Sequence, residues 1–353
     1  MAKFLFFCFF LLNFLFITGQ NSKMISINLE DARPYNLSEI AEKVIPIPLE
    51  DQDPIQNRNV LLTDNYLFVS SIRSIIQYDL SGKFLRRIYC GGFISDNVTS
   101  DMVNQKLYVP VGDSIKCYNY SGKLEKVYPL KTSSLHCLYH KGALWVQSYN
   151  ILPDTSFVYT INKINLSTGK ITTLPYEKKV APIVLDKGYV VNASAMCHLS
   201  LYNDEVIASF SYESEIYKIE RDEAVSNNKN IESSIKIKQD KVVSLAKWNI
   251  IPPVADSKVY GTNANSFIGD YLLINCRSNN QSYFYFENMK TGKKYNVSQL
   301  IDDVFHTTGN CNINSTNQTG YFVFIKDQRD IKGDSIGNVL LKSGPVVFIG
   351  KIK

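Results

Sequence analysis

The 353 residues, 45% apolar and 20% charged, have the composition of a soluble globular protein, which excludes a long disordered or fibrous chain. The formal net charge of +5 is spread along the sequence instead of being gathered in a Lys/Arg block, so we expect no nucleic-acid partner. The 22 Tyr and 19 Phe favour strands over helices.

The N-terminus has the pattern of an export signal. Lys3 is followed by an apolar run from Phe4 to Ile17, and the small residues Thr18 and Gly19 then offer a cleavage site. The run of about 14 residues is shorter than the roughly 20 that span a bilayer, although an uncleaved anchor is the alternative. We therefore predict a signal peptide at residues 1–20, export to the periplasm or the extracellular space, and no membrane span in the mature chain.

The next segment, residues 21–42, is predicted to be an N-terminal extension. Asn36 is followed three residues later by Glu39, the spacing of a helix N-cap, so a short helical turn is expected there. An apolar strand at residues 43–50 then opens the main domain, which we place at residues 43–353.

A loose repeat of four short strands occupies the first half of this domain, at residues 61–88, 101–130 and 138–176. Its marker is a Gly-Lys turn at Gly82, which recurs 40 residues on at Gly122 and 47 further on at Gly169. Glycine supplies the positive φ that such a hairpin needs. The turn returns at Gly292, and the side chains expected to close the four turns are those of Asp79, Asn119, Asn165 and Asn288.

Repeats of this length and content are typical of propeller blades. Residues 199–223 and 267–297 follow the same plan, and the strands left over, at 43–50, 320–325 and 345–353, supply one more blade from both ends of the chain. Four strands cannot cover both faces of their own sheet, so the blades must stack radially. We predict an all-β, six-bladed β-propeller with four-stranded antiparallel blades, closed by N- and C-terminal strands.

Several segments resemble the six-bladed β-propeller proteins that Bacteroidetes bacteria export, relatives of the NHL-type propellers. The similar stretches are residues 37–50, 78–88, 210–219, 288–304 and 344–353. The resemblance implies a fold and an exported location, with no defined reaction or catalytic residues. The chain departs from that family at residues 90–96, where Cys-Gly-Gly-Phe-Ile-Ser-Asp replaces a Gly-rich stretch.

Side chains with reactive or metal-binding potential are few. Of the four histidines, His136 and His140 share a strand at a spacing of about 13 Å, too far to hold one zinc ion. The acidic pair Asp302 and Asp303 is interpreted as solvated loop. No catalytic motif is found, so the sequence favours a non-enzymatic protein over an enzyme, with no metal and no cofactor. Removal of the signal leaves six cysteines, which are either paired or, as we favour, buried as small apolar side chains: Cys90, Cys117, Cys137, Cys197, Cys276 and Cys311.

The propeller geometry predicts where a binding site would lie. Loops between second and third strands should surround the mouth of the central channel, where a polar ligand or an extracytoplasmic protein partner could bind. The residues in these loops are Arg73, Asp113, Tyr149, Asp154, Glu213, Glu215 and Arg277. We predict a monomeric binding or scaffolding module. The alternative is a hydrolase or lyase that acts on an extracellular glycan, ester or lactone with residues from several blades, and a purely structural role is the third possibility.

Overall fold

The computed structural model describes residues 23–27, 31–50, 59–95, 97–154, 156–180, 183–184, 190–191, 197–210, 215–219, 231–239, 261–278 and 281–353. The expected signal peptide, residues 1–20, lies outside this part of the chain. Within it, none of the helices has the length and apolar character that crossing a membrane requires.

The segment before the first blade is extended and joins the sheets. Strands β1 (Lys23–Ile27) and β2 (Arg33–Asn36) precede a one-turn helix, α1 (Leu37–Ile40), and the strand β3 (Ala41–Pro48). The N–H of Asn36 donates to Oε1 of Glu39 at 3.0 Å, so the predicted helical turn with its Glu39 contact is confirmed.

Three regular blades follow in chain order, and their strands match the predicted repeat. Blade 1 has β4 (Val60–Leu62), β5 (Tyr66–Ser70), β6 (Ser74–Asp79) and β7 (Phe84–Tyr89). Blade 2 has β8 (Thr99–Asp101), β9 (Lys106–Val111), β10 (Ser114–Asn119) and β11 (Leu124–Pro129). Blade 3 has β12 (Ser133–His140), β13 (Ala143–Ile151), β14 (Phe157–Asn165) and β15 (Ile171–Val180).

The later blades have the same plan with longer connections. A small pair, β16 (Ile183–Val184) and β17 (Val190–Val191), precedes blade 4, which has β18 (Cys197–Tyr202), β19 (Glu205–Phe210), β20 (Glu215–Ile219) and β21 (Ile231–Gln239). Blade 5 has β22 (Gly261–Ile268), β23 (Tyr271–Ser278), β24 (Gln281–Asn288) and β25 (Lys294–Ile301). The last strands are β26 (Asn314–Ser315), β27 (Tyr321–Lys326), β28 (Ser335–Ile336), β29 (Val339–Leu340) and β30 (Val346–Ile352), with a 3₁₀ turn at Gln328–Asp330.

Blade 6 closes the ring with strands from both ends of the chain. Its order is β26, β27, β30 and β3, and β3 pairs antiparallel with β30 from Ala41 opposite Ile352 to Pro48 opposite Val346. The predicted six-bladed propeller of four-stranded antiparallel blades and its closure are therefore confirmed. Two blades carry a fifth, parallel strand on their outer edge, since β1 pairs with β21 of blade 4 and β2 pairs with β25 of blade 5.

Buried side chains between the blades explain why the sheets stack. Leu67 and Val69 of β5 pack against Val347 of blade 6, whereas Phe68 between them packs against Val109 of blade 2. This alternation is the period of two that a strand imposes, and here both faces of the strand are buried. Among the described residues, six clusters of this kind join the blades pairwise around the ring.

The direction of the strands gives the disc two different faces. Turns between first and second and between third and fourth strands lie on one face, which we call the turn face. Loops between second and third strands lie on the other, the loop face, together with the connections from each blade to the next. On this face the N–H of Cys90 donates to the carbonyl of Arg73 at 3.0 Å, so connection and loop are joined.

Candidate functional site

The first strands of all six blades surround a small cavity at the centre of the ring. Its volume is about 70 Å³, well below the roughly 300–1,000 Å³ of ordinary ligand pockets, so it has room for a few water molecules. The polar residues that line it carry amides and hydroxyls: Asn59, Asn97, Thr99, Ser200, Ser315, Thr316, Asn317, Gln318 and Thr319.

Next to this cavity, two histidines from neighbouring blades approach each other. The ring centres of His136 and His198 are 6.0 Å apart, and Nδ2 of Asn97 donates to Nε2 of His136 at 2.9 Å. Burial, helped by His198, lowers the pKa of His136 to about 3. Sequence reasoning paired His136 with His140 instead, because it could not know which inner strands meet. In the described part of the chain no three His, Cys, Asp or Glu side chains are grouped to hold a metal ion.

The four predicted site residues whose side chains are described lie at the loop-face end of their blades, and each makes a local contact. The guanidinium carbon of Arg73 lies 4.4 Å from the ring centre of Phe93. Tyr149 packs against the ring of Phe157, with ring centres 5.4 Å apart, and the carboxylate of Asp154 accepts a hydrogen bond from the N–H of Ser156 at 3.1 Å. Asp113 is exposed. Their shared role around a mouth stays a prediction.

The other three predicted site residues cannot be placed in the same way. Glu213 lies outside the described residues. Glu215 opens β20, opposite Lys236, and Arg277 lies near the end of β23, opposite Gly261 and Ser282, so for both only the backbone position is given.

Around Arg73 the loop face carries large apolar side chains that sequence reasoning missed. Ile72, Tyr89 and Phe93 are 60%, 73% and 62% exposed. They are held together by the backbone, because the N–H of Ile94 donates to the carbonyl of Ile72 at 2.8 Å and Tyr89 pairs with Ser74. We call Ile72, Arg73, Tyr89 and Phe93 the blade 1 patch. The sequence did contain a signal for this patch, because Ile72 and Phe93 are apolar residues in segments predicted to be loops.

The cysteines whose side chains are described lie in the core. Cys90, Cys117, Cys137 and Cys311 are buried free thiols, as the sequence favoured, and burial raises the pKa of Cys90 to about 11. The side chains of Cys197 and Cys276 are not among those described.

The interpretation of Asp302 and Asp303 as solvated loop is wrong for Asp302, whereas Asp303 is a half-buried loop residue. Asp302 is buried, and its carboxylate accepts hydrogen bonds from the N–H groups of Phe305, at 2.9 Å, and Thr307, at 3.3 Å. Asp303 accepts one from the N–H of Ser38 in α1 at 3.0 Å. The two carboxylates therefore fold the connection after β25 and fasten the N-terminal helix to it, because buried or capped backbone donors need acceptors.

No protein-family model matches this sequence, and no curated protein sequence matches it. Solved structures do. A protein of Bacteroides fragilis NCTC 9343, described as exported, is similar over 94% of this chain and 100% of its own, with 15% identity and a TM-score of 0.60. A member of the DUF4221 family of Bacteroides vulgatus ATCC 8482 is similar over 89% of this chain and 97% of its own, with 10% identity and a TM-score of 0.52.

These likenesses are at the level of the fold, because the identities are low. The resemblance expected from the sequence, to propeller proteins exported by Bacteroidetes, is confirmed at that level. The relation to NHL-type propellers stays a prediction.

Proposed function

We propose that the mature chain works outside the cytoplasm, in the periplasm or the extracellular space, as a monomeric, non-enzymatic propeller that binds another protein through its loop face. The observation that carries this proposal is the blade 1 patch, in which two aromatic residues and an isoleucine are exposed and one of the rings, that of Phe93, contacts an arginine. Tyr and Arg are the residue types most enriched at the energetic centres of protein interfaces.

The free energy of burying apolar surface also favours protein binding at the blade 1 patch. Exposed Phe93, Tyr89 and Ile72 leave apolar surface in water that a partner could cover, at about 25 cal/mol for each Å² removed from solvent. The backbone of Ile72 accepts a hydrogen bond from the N–H of Ile94, and Tyr89 belongs to β7, so backbone entropy at these two residues is not lost again on binding. A rigid, apolar and cationic patch is suited to protein recognition.

The axial cavity does not offer what the alternative, a hydrolase or lyase, would need at that place. Such an enzyme needs acids, bases or nucleophiles that converge on a substrate-sized pocket. The described lining of the axis consists instead of amides, hydroxyls and apolar side chains around a volume of about 70 Å³. The axis is therefore a poor site for such chemistry, and the loop face, which carries the blade 1 patch, is the site that we propose.

A site-specific crosslinking experiment tests the proposal. A photoreactive phenylalanine analogue is placed at Phe93, and a matched chain carries it at Leu124, an exposed residue of the outer strand of blade 2. In cells that export the protein, we expect position 93 to crosslink to a discrete partner protein. Position 124 should not crosslink to that partner. The purified partner should then bind the Phe93→Ala variant about 30-fold more weakly, the effect of losing about 2 kcal/mol at an interface centre.

The controls separate this result from general stickiness or misfolding. Leu124→Ala should leave the affinity for the purified partner unchanged, and both variants should melt within a few degrees of the parent. If Phe93→Ala binds the partner as tightly as the parent does, the loop face of blade 1 is not the docking surface.

A further inference from the structure

We propose that the blade 1 patch recognises a carboxylate on its protein partner, next to an apolar side chain, through the guanidinium of Arg73. This inference rests on the proposed function, and it adds the chemistry of the partner's contact segment. The ligand is an extended peptide segment with Asp, Glu or a chain-terminal carboxylate beside a large apolar residue.

Arg73 is available for such a contact. It is exposed, and its guanidinium lies over the Phe93 ring at 4.4 Å from the ring centre. It forms no ion pair with any residue that the structure describes. A guanidinium has five N–H donors, and those that the ring does not cover are available to an anion. A planar fork of donors matches the two oxygens of a carboxylate.

The stacking prepares Arg73 for binding. A long arginine side chain in water loses considerable rotamer entropy when it is fixed, which weakens exposed ion pairs. Contact with Phe93 restricts the side chain before a ligand arrives, so less entropy remains to be lost. The Phe93 ring also excludes water from the side of the guanidinium that it covers, which strengthens the attraction of the guanidinium to an anion.

The surroundings of Arg73 are complementary to an anion that carries an apolar neighbour. The Lys116 ammonium group lies at the adjoining connection, where Nζ donates to the carbonyl of Cys90 at 2.6 Å, and so adds positive charge close by. Ile72, which precedes Arg73 in the chain, and Tyr89 present exposed apolar surface in the same patch. A carboxylate alone would leave that surface in water, and an apolar peptide alone would leave the guanidinium without an anion.

Paired peptides provide the probe. Three pairs of fluorescein-labelled nine-residue peptides are compared. In the first pair the centre carries Phe-Asp or Phe-Asn, and in the second it carries Leu-Glu or Leu-Gln. The third pair ends in a Phe with either a free carboxylate or an amide. By fluorescence anisotropy, we expect at least one acidic peptide to bind about ten-fold more tightly than its amide counterpart, as charge-assisted hydrogen bonds are stronger than neutral ones. Added salt should narrow the difference.

Substitutions assign the effect to Arg73. Arg73→Gln should lower the affinity for the acidic peptide about ten-fold and leave that for the amide peptide unchanged. The control is Arg329→Gln, since Arg329 is an exposed arginine in the blade 6 loop that follows its second strand, 83% exposed in its side chain and paired with Asp327. It should change neither affinity. Thermal melts of both variants confirm that they are folded.

Failure of this inference differs from failure of the proposed function. If acidic and amide peptides bind equally and Phe93→Ala weakens both, the patch docks proteins but does not read a carboxylate. If a phosphorylated peptide is preferred over the acidic one, or if none of the peptides binds, the carboxylate assignment is overturned, while the crosslinking experiment still decides the docking function. If Phe93→Ala changes neither peptide nor partner binding, the docking function itself is wrong.

Discussion

His136 is a base that the folded protein keeps without charge. Its side chain is buried at the inner edge of blade 3, and Nδ1 has no hydrogen-bond partner among the described residues. The neighbouring ring of His198 adds to the cost of a charge there, and the pKa is lowered from the ordinary 6.5 to about 3. A proton added at this position would be separated from water and would face another imidazole.

Acid should therefore weaken the fold through His136. Because the folded-state pKa is depressed, the unfolded chain binds the extra proton between pH 6.5 and 3, and stability is lost as the pH falls through that window. By pH 5 the loss at this residue is about 2 kcal/mol relative to pH 7.5. We expect His136→Gln to have a smaller difference in urea midpoint between these pH values than the parent.

The exposed His306 provides the control for this experiment. His306→Gln likewise removes one imidazole but leaves His136 in place, so its difference in urea midpoint between the two pH values should exceed that of His136→Gln. If His136→Gln keeps the pH dependence of the parent protein, the buried imidazole is not the group whose protonation weakens the fold.

At the scale of single elements, the Gly-Lys turns show how local sequence determines local structure. Gly82, Gly122, Gly169 and Gly292 all have positive φ, between 73° and 85°. Each turn is closed by an Asx side chain four residues before the lysine or five before it. In the first, Oδ1 of Asp79 accepts the N–H of Lys83 at 3.0 Å. Gly82 has a second constraint, because a Cβ there would collide with the carbonyl of Pro48 in the closing strand.

A pair of alanine substitutions separates the two constraints. Gly169→Ala meets open space, with the nearest atom, Nζ of Lys126, 4.0 Å away, so it should lose only the left-handed backbone preference, about 1–2 kcal/mol. Gly82→Ala should lose that and roughly 1–3 kcal/mol more from the collision with β3. Urea denaturation of the two variants measures the difference. Equal losses would mean that the turn of blade 1 does not press on the closing strand.

The contrast between local and long-range contacts explains which elements could be predicted from the sequence. The turn of Asp79 and Gly82 has a local signal, since one residue supplies the acceptor and the other the conformation. The pairing of β1 with β21 joins Lys23 to Ile235, more than 200 residues away, and a parallel edge strand leaves no turn or repeat in the sequence. Phe93 was missed for a related reason, because its contact with Arg73 depends on how a connection folds back over a loop.

For the whole molecule, the N-terminal segment is a strap along the outer rim of three consecutive blades. It adds β1 to blade 4 and β2 to blade 5, and it ends as the outermost strand of blade 6. Ile25 and Ile27 of β1 are buried in the cluster between blades 4 and 5. If only β3 closed the ring, blade 6 could separate from its neighbour when β3 detaches. Because the same segment also pairs with blades 4 and 5, detachment of β3 is coupled to the edges of those two blades.

The first strand of the strap, β1, and its last strand, β3, should contribute differently to folding. Two shortened chains distinguish their contributions. A chain that begins at residue 31 lacks β1 but keeps β3. It should fold as a monomer with stability reduced by roughly 3–6 kcal/mol, an upper bound for the burial of two isoleucines. A chain that begins at residue 51 lacks β2, α1 and β3 as well as β1, and the loss of β3 exposes the edge of β30 and uncovers Ile349. An open, apolar edge invites association, so this chain should aggregate or lose its cooperative melt in calorimetry and size-exclusion chromatography. If the two chains melt alike, closure of the ring does not depend on β3, and the blades hold together through their faces alone.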